Sequence, residues 1–129
     1  MMLAGGALLS GLLLVAAAPP ATAPNGAELF AQNCAACHQP EGQGIAGAFP
    51  ALAGNTFVQG PAPIVASTVL KGRGGMPSFS SDLTDDQIAA VLSYVRSSWG
   101  NHAVAIPTAT VAAARGGSAS EEKTVLPGH

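Results

Sequence analysis

The segment that contains the chain's two cysteines constrains the fold more than any other part of the sequence. Cys34 and Cys37 are separated by two residues, and His38 follows directly. A disulfide between them would close a loop too small to stabilise much, and a thioredoxin-like dithiol would follow a strand rather than the helical pattern found here. A structural zinc site needs a second ligand pair, which the remaining His102 and His129 do not form. The pattern Cys-x-x-Cys-His therefore predicts covalent attachment of a haem.

The spacing of the two cysteines has a chemical reason. Residues three apart on a helix face the same way, so both sulfurs can form thioether bonds with the vinyl groups on one edge of the haem. His38 then presents its imidazole to the iron. Such a fixed apolar group suits a chain of this length, which can build only a modest core of its own.

Met76 is the expected second axial ligand. Of the chain's three methionines, Met1 and Met2 lie at the N-terminus, and Met76 lies in a glycine-rich segment that ends at Pro77. Glycine permits the crowded backbone that brings a loop against a flat cofactor, whereas a methionine that only fills the core more often lies within a periodic helix. His/Met ligation raises the reduction potential and leaves no open position on the iron, so electron transfer is the expected chemistry.

The N-terminal segment predicts export. Leu3 to Ala18 consists almost entirely of Leu, Ala, Gly and Val, and small residues continue to Ala23. Residues 1–23 are therefore expected to form a secretory leader and the protein to be periplasmic, although no Lys or Arg precedes the apolar run. An uncleaved membrane anchor is the alternative, for which the run is short. Membrane association is expected only through this segment.

The remaining pattern is helical. Asn25 and Glu28 predict a capped helix that runs to the haem motif, and residues 62–70 predict a short second helix. Thr84 and Gln87 predict a capping box at the start of the last helix. Its apolar stripe comprises Ile88, Val91, Leu92, Val95 and Trp99, and Gly100-Asn101 is expected to end it. No segment alternates with period two, so we expect an all-α fold without a substantial sheet.

Between residues 25 and 101 the sequence resembles the class I cytochrome c family. The segments that carry the resemblance occur in the family's order: Leu29-Phe30, the haem motif, Phe49-Pro50-Ala51-Leu52, Gly75-Met76-Pro77-Ser78-Phe79 and residues 83–96.

The resemblance implies three to five helices wrapped around one covalently bound haem c. It implies that the first and last helices cross, with Gly26 and Phe30 near Tyr94. It also implies that the carbonyl of Pro50 accepts a hydrogen bond from the ring of His38, which would orient the imidazole as a ligand.

More narrowly, the stretch from Met76 to Gly100-Asn101 is similar to cytochrome domains that serve bacterial membrane and periplasmic dehydrogenases, including quinoprotein alcohol dehydrogenases. Those subunits often carry three haems, whereas this chain has one attachment motif. The resemblance implies an electron carrier rather than an enzyme, which takes electrons from a dehydrogenase or upstream cytochrome and passes them to a terminal oxidase or another acceptor. A haem enzyme or gas sensor with a labile Met76 is the alternative, and a structural subunit is another.

Charge and the C-terminal segment add expectations about partners. With a net charge of −2 and five basic residues, the chain has no basic surface for nucleic acid, and its two lysines favour apolar over ionic docking. Lys71 and Arg73 flank the Met76 loop and are expected either to help docking or to meet a haem propionate, with solvated charges as the alternative. The cytochrome domain is expected to span residues 24–101. Residues 102–129 are expected to form a mostly disordered tail, with one or two helical turns at residues 108–115, that is either solvated or a docking segment.

Overall fold

The computed structural model describes residues 14–19 and 22–123, with side chains as far as residue 117. The described residues form helices and no named strand, with isolated bridges only between Ile45 and Phe49 and between Arg73 and Met76. The all-α expectation is therefore confirmed. The helices are α1 (Gly26–Asn33), α2 (Ala35–His38), α3 (Ala62–Lys71), α4 (Asp85–Arg96) and α5 (Thr108–Lys123).

The predicted leader lies largely outside the described residues, because residues 1–13, 20 and 21 are not described. Within the described part of the chain, no helix has the length and apolar character needed to cross a membrane.

The crossing of α1 and α4 forms the centre of the core. The side chain of Asn25 caps α1 by accepting from the backbone N–H of Glu28 at 3.2 Å. Gly26 allows the close approach, because a Cβ there would collide with the carbonyl oxygen of Ala90 in α4. Phe30 is almost fully buried, and its ring centroid lies 5.8 Å from that of Tyr94. The contact that the resemblance implied is present.

Helix α4 begins as expected and ends earlier than expected. Both halves of the capping box between Thr84 and Gln87 are formed. The helix ends at Arg96, however, rather than at Gly100-Asn101. Trp99 has left the helix with a φ of 53°, and its ring packs against Phe30 with the centroids 5.0 Å apart. Trp99 is thus a packing residue, as expected, but it packs from a turn.

The prediction of a mostly disordered tail after residue 101 is wrong for the described part of that segment. Ile106 and Val111 are buried, and α5 packs against α3 and α4. This alanine-rich segment has few large apolar residues, which is why its sequence favours disorder. Ile106 and Val111 are nevertheless buried, because the segment packs against helices that are already folded. The predicted turns at residues 108–115 form the first half of α5. Residues 124–129 lie outside the described residues.

Candidate haem site

The two cysteines lie at the junction of α1 and α2. Cys34 is the residue between the two helices, and its backbone N–H donates to the carbonyl of Phe30 at 2.9 Å. Both thiols are free; Cys34 is half-buried and Cys37 is exposed. Burial, and secondarily the neighbouring Cys37, raises the pKa of the Cys34 thiol from 9.0 to about 11. A thiol that stays protonated at neutral pH is the opposite of the activated nucleophile that a dithiol oxidoreductase uses.

His38 is oriented by a backbone carbonyl. Its Nδ1 lies 2.9 Å from the carbonyl oxygen of Pro50. Because a carbonyl can only accept, Nδ1–H is the donor, and the neutral ring leaves Nε2 with its lone pair available. This is the tautomer that a metal-binding histidine needs, and the hydrogen bond fixes the ring plane. The contact itself is the one that the resemblance implied.

The loop that carries Pro50 is folded tightly against the haem motif. Gly44 has a φ of +64°, and a Cβ there would lie 2.5 Å from the carbonyl oxygen of Phe49. The backbone N–H of Leu52 donates to the carbonyl of Gly42 at 2.7 Å. The position of the Pro50 carbonyl is therefore set by backbone contacts on both sides of it.

Met76 lies on a separate loop between α3 and α4. Arg73 and Met76 exchange two backbone hydrogen bonds, of 3.1 and 3.0 Å, which close a tight turn around Gly74 and Gly75. Gly72 has a φ of +76°, and a Cβ there would lie 2.5 Å from the carbonyl oxygen of Met76. Gly74 also has a positive φ, of 57°, so the turn requires glycine at positions 72 and 74. The side chain of Met76 is half-buried.

Several large apolar side chains between α2 and the Met76 loop are exposed rather than buried. Ile45, Phe49 and Phe57 in the loop after α2, and Ile64 in α3, are each 39–53% exposed. The guanidinium of Arg73 lies 5.2 Å from the centroid of the Phe57 ring, so the Met76 loop contacts the apolar loop directly. Two thiols on one turn, an oriented imidazole, a thioether and exposed apolar rings fit a flat, apolar, covalently bound haem.

Two buried polar residues that support this arrangement were missed from the sequence. Asn101 is fully buried, whereas the sequence pattern indicates only the end of a helix at this position. Arg96 is 4% exposed and donates to three backbone carbonyls. Arg96 lies four residues after Leu92 and therefore on the apolar face of α4, which indicates burial of its side chain.

Comparison with known proteins gives the same assignment. The family model described as cytochrome c oxidase, cbb3-type, subunit III, matches residues 21–95, which include the haem motif and Met76. Cytochrome c-552 of Thermus thermophilus is 37% identical over 110 residues, which cover 73% of this chain and 68% of that protein. Cytochrome c6 of Leptolyngbya boryana is 38% identical over 77 residues, 58% of this chain and 91% of that protein.

A further relative is part of a larger protein. The cytochrome c subunit of the quinone alcohol dehydrogenase of Gluconacetobacter polyoxogenes is 36% identical over 96 residues. The match covers 65% of this chain but only 20% of that subunit, so the chain spans about a fifth of its length. From the haem motif, the helical fold and these matches together, we conclude that this chain belongs to the c-type cytochrome family of the matching model, and that the matched region is an electron-transfer domain with a covalently bound haem c.

Proposed function

We propose that this chain carries one haem, bound through thioethers to Cys34 and Cys37, with His38 and Met76 as the axial ligands. The observation that carries the assignment is the hydrogen bond that His38 Nδ1 donates to the carbonyl of Pro50. Because this bond occupies Nδ1, the lone pair of Nε2 is available to bind iron. When bound in this way, the haem supplies a reversible one-electron couple whose potential is raised by the soft sulfur ligand.

The roles of the protein residues follow from their positions. The Pro50 carbonyl keeps His38 in one tautomer and one orientation in both oxidation states. Met76 would supply the second iron ligand and would keep water and small ligands away from the iron. The partly exposed rings of Phe49 and Phe57 would give the cofactor apolar contacts and reduce its contact with water.

The redox partners belong to this proposal as well. Dehydrogenases are the proposed donors, since similar subunits include those named for quinone alcohol dehydrogenase, gluconate 2-dehydrogenase and fructose dehydrogenase. A terminal oxidase or a second cytochrome of a respiratory chain is the proposed acceptor. Residues 1–23 are proposed to act as a leader that directs a cytochrome domain, beginning at residue 24, to the periplasm.

The attachment and redox roles can be tested with one set of variants. The protein is expressed in a host with a periplasmic haem-attachment system, denatured and extracted with acidified organic solvent. We expect the haem to stay with the unsubstituted chain and to be released when Cys34 and Cys37 are both replaced by Ser. In a separate redox titration of the folded protein, we expect the haem to behave as a single one-electron couple. Release from the unsubstituted protein would contradict covalent attachment.

The alternative of a gas sensor or haem enzyme predicts an open iron position. Rapid binding of carbon monoxide by the reduced protein would favour that alternative. A bound Met76 would have to leave the iron first, which would make binding slow. We expect slow binding in the unsubstituted protein and rapid binding in Met76→Ala.

A further inference from the structure

Helix α5 connects the two helices on either side of the Met76 loop. It packs against α3, which ends at Lys71 just before the loop, and against α4, which begins at Asp85 just after it. Its anchor Val111 is fully buried, and Ile106, just before the helix, is 3% exposed. A helix that is fixed to both flanking helices limits how far the ends of the loop can separate.

Arg115 is the α5 residue that reaches the chain between Met76 and α4. Its Nε donates to Oδ1 of Asp85 at 2.7 Å, the first residue of α4. Its Nη1 donates to the carbonyl of Ser80 at 2.6 Å, and its Nη2 donates to the carbonyl of Leu83 at 3.0 Å. One planar guanidinium therefore joins α5 to the C-terminal arm of the loop at two carbonyls, with the carboxylate as the third partner.

Hydrogen bonds continue from Ser80 back toward Met76. The Oγ atoms of Ser80 and Ser78 lie 2.9 Å apart. Ser78 Oγ donates to the carbonyl of Leu70 in α3 at 2.5 Å. The four residues that follow Met76 are thus connected to α3 at one end and, through Arg115, to α5 at the other.

The loop needs such support because its own sequence is permissive. Gly72, Gly74 and Gly75 give the arm before Met76 a large conformational entropy to lose on ordering. Local openings of a loop are governed by how well its ends are anchored. When such an opening draws Met76 away, its axial position becomes free.

We propose that α5 holds the Met76 loop closed and that Arg115 is a positioning residue for the axial ligand. The proposal rests on the ligand role given to Met76 under the proposed function. The supporting helix lies outside the region matched by the family model, which ends at residue 95. The C-terminal segment therefore controls how readily the iron opens, in addition to covering the core.

The test compares Arg115→Gln with the matched control Thr108→Val in the full-length, haem-loaded protein. Thr108 lies on the same helix, and its Oγ1 donates to Oδ1 of Asp86 at 2.7 Å, so its variant removes one hydrogen bond between α5 and α4 that does not involve the loop. Two readouts are used: the rate of carbon monoxide binding to the reduced protein, and the temperature at which the oxidised protein loses the weak far-red band of iron–methionine ligation.

We expect Arg115→Gln to bind carbon monoxide about tenfold faster, the effect of losing roughly one charge-assisted hydrogen bond that keeps the loop closed. Its far-red band should disappear at a lower temperature, while Thr108→Val should behave like the unsubstituted protein. Arg115→Lys, which keeps the charge beside Asp85 but cannot reach both carbonyls, should give an intermediate rate and serves as the second variant should the glutamine variant fail to fold.

Unchanged rates in Arg115→Gln and Arg115→Lys would overturn the proposal while leaving Met76 as the ligand. Equal changes in Arg115→Gln and Thr108→Val would overturn it too, because they would show that Arg115 has no positioning role beyond that of any contact between α5 and α4. Absence of the far-red band in the unsubstituted protein would overturn both this proposal and the ligand role of Met76.

Discussion

The side-chain amide of Asn101 donates to the carbonyl of Leu52 at 3.0 Å, across 49 positions of the chain. The same Nδ2 donates to the carbonyl of Val95 at 2.9 Å, and Oδ1 accepts from the backbone N–H of Gly54 at 2.8 Å. The end of α4 is thereby connected to the segment that directly follows Pro50. The residue that orients His38 is thus held from a distant part of the chain.

We expect Asn101→Ala to lower the free energy of unfolding by about 3 kcal/mol, because three backbone groups lose their partner and the side chain is fully buried. Asn33→Ala is the matched control, since Asn33 makes a single hydrogen bond to the carbonyl of Leu29 and should cost no more than about 1 kcal/mol. Denaturant titration of the haem-loaded proteins measures both. Equal costs for the two substitutions would contradict the structural role of Asn101.

Arg96 is a buried cation for which the structure shows carbonyl partners only. Its Nη1 donates to the carbonyls of Val58 at 2.7 Å and Gly60 at 2.8 Å, and its Nε donates to that of Val104 at 2.8 Å. Arg96→Met should destabilise the fold by about 2–4 kcal/mol, because these acceptors lose their donors.

The same substitution tests an electrostatic effect. A buried positive charge favours the reduced haem, which carries one positive charge less than the oxidised haem. Arg96→Met should therefore lower the midpoint potential, whereas Arg96→Lys should lower stability and keep the potential nearly unchanged. Redox titration of the two variants separates these effects. Equal potentials in both would show that the charge of Arg96 does not act on the haem.

Gly26 provides a prediction whose sign opposes helix propensity. Alanine in place of glycine normally stabilises a helix by up to about 1 kcal/mol. At Gly26 the added methyl would meet the carbonyl oxygen of Ala90 and the Cβ of Tyr94, so Gly26→Ala should destabilise the fold by about 2 kcal/mol or more. Gly116→Ala in α5 is the control, since nothing lies within 4 Å of its Cβ position, and it should be neutral or stabilising. A stabilising Gly26→Ala would contradict the close crossing of α1 and α4.

Much of the fold could be predicted because it follows from local patterns. The caps at Asn25 and Thr84 and the apolar stripe from Ile88 to Val95 depend on residues within one or two helical turns, and the structure confirms them. The end of α4 could not be predicted, because Trp99 turns out of the helix to reach Phe30, which lies 69 positions earlier in the sequence.

The C-terminal segment shows the same limit. Its few apolar residues cannot form a core alone. Ile106 and Val111 are buried because the segment packs against the rest of the fold, with α5 against α3 and α4. The hydrogen bond between Arg115 and Asp85 could not be predicted either, because the two residues are 30 positions apart in the sequence. By contrast, the attachment motif and Met76 could be proposed as site residues from the sequence, because their chemistry is local to a few residues.

The central claim is that His38 and Met76 fill both axial positions of the iron. The most direct measurement is the absorption spectrum of the oxidised, haem-loaded protein, recorded with and without Met76→Ala. We predict a c-type spectrum with the weak far-red band of iron–sulfur ligation, and loss of that band in the variant while the covalent haem is retained. A c-type spectrum without the band, or a band that survives Met76→Ala, would contradict the account.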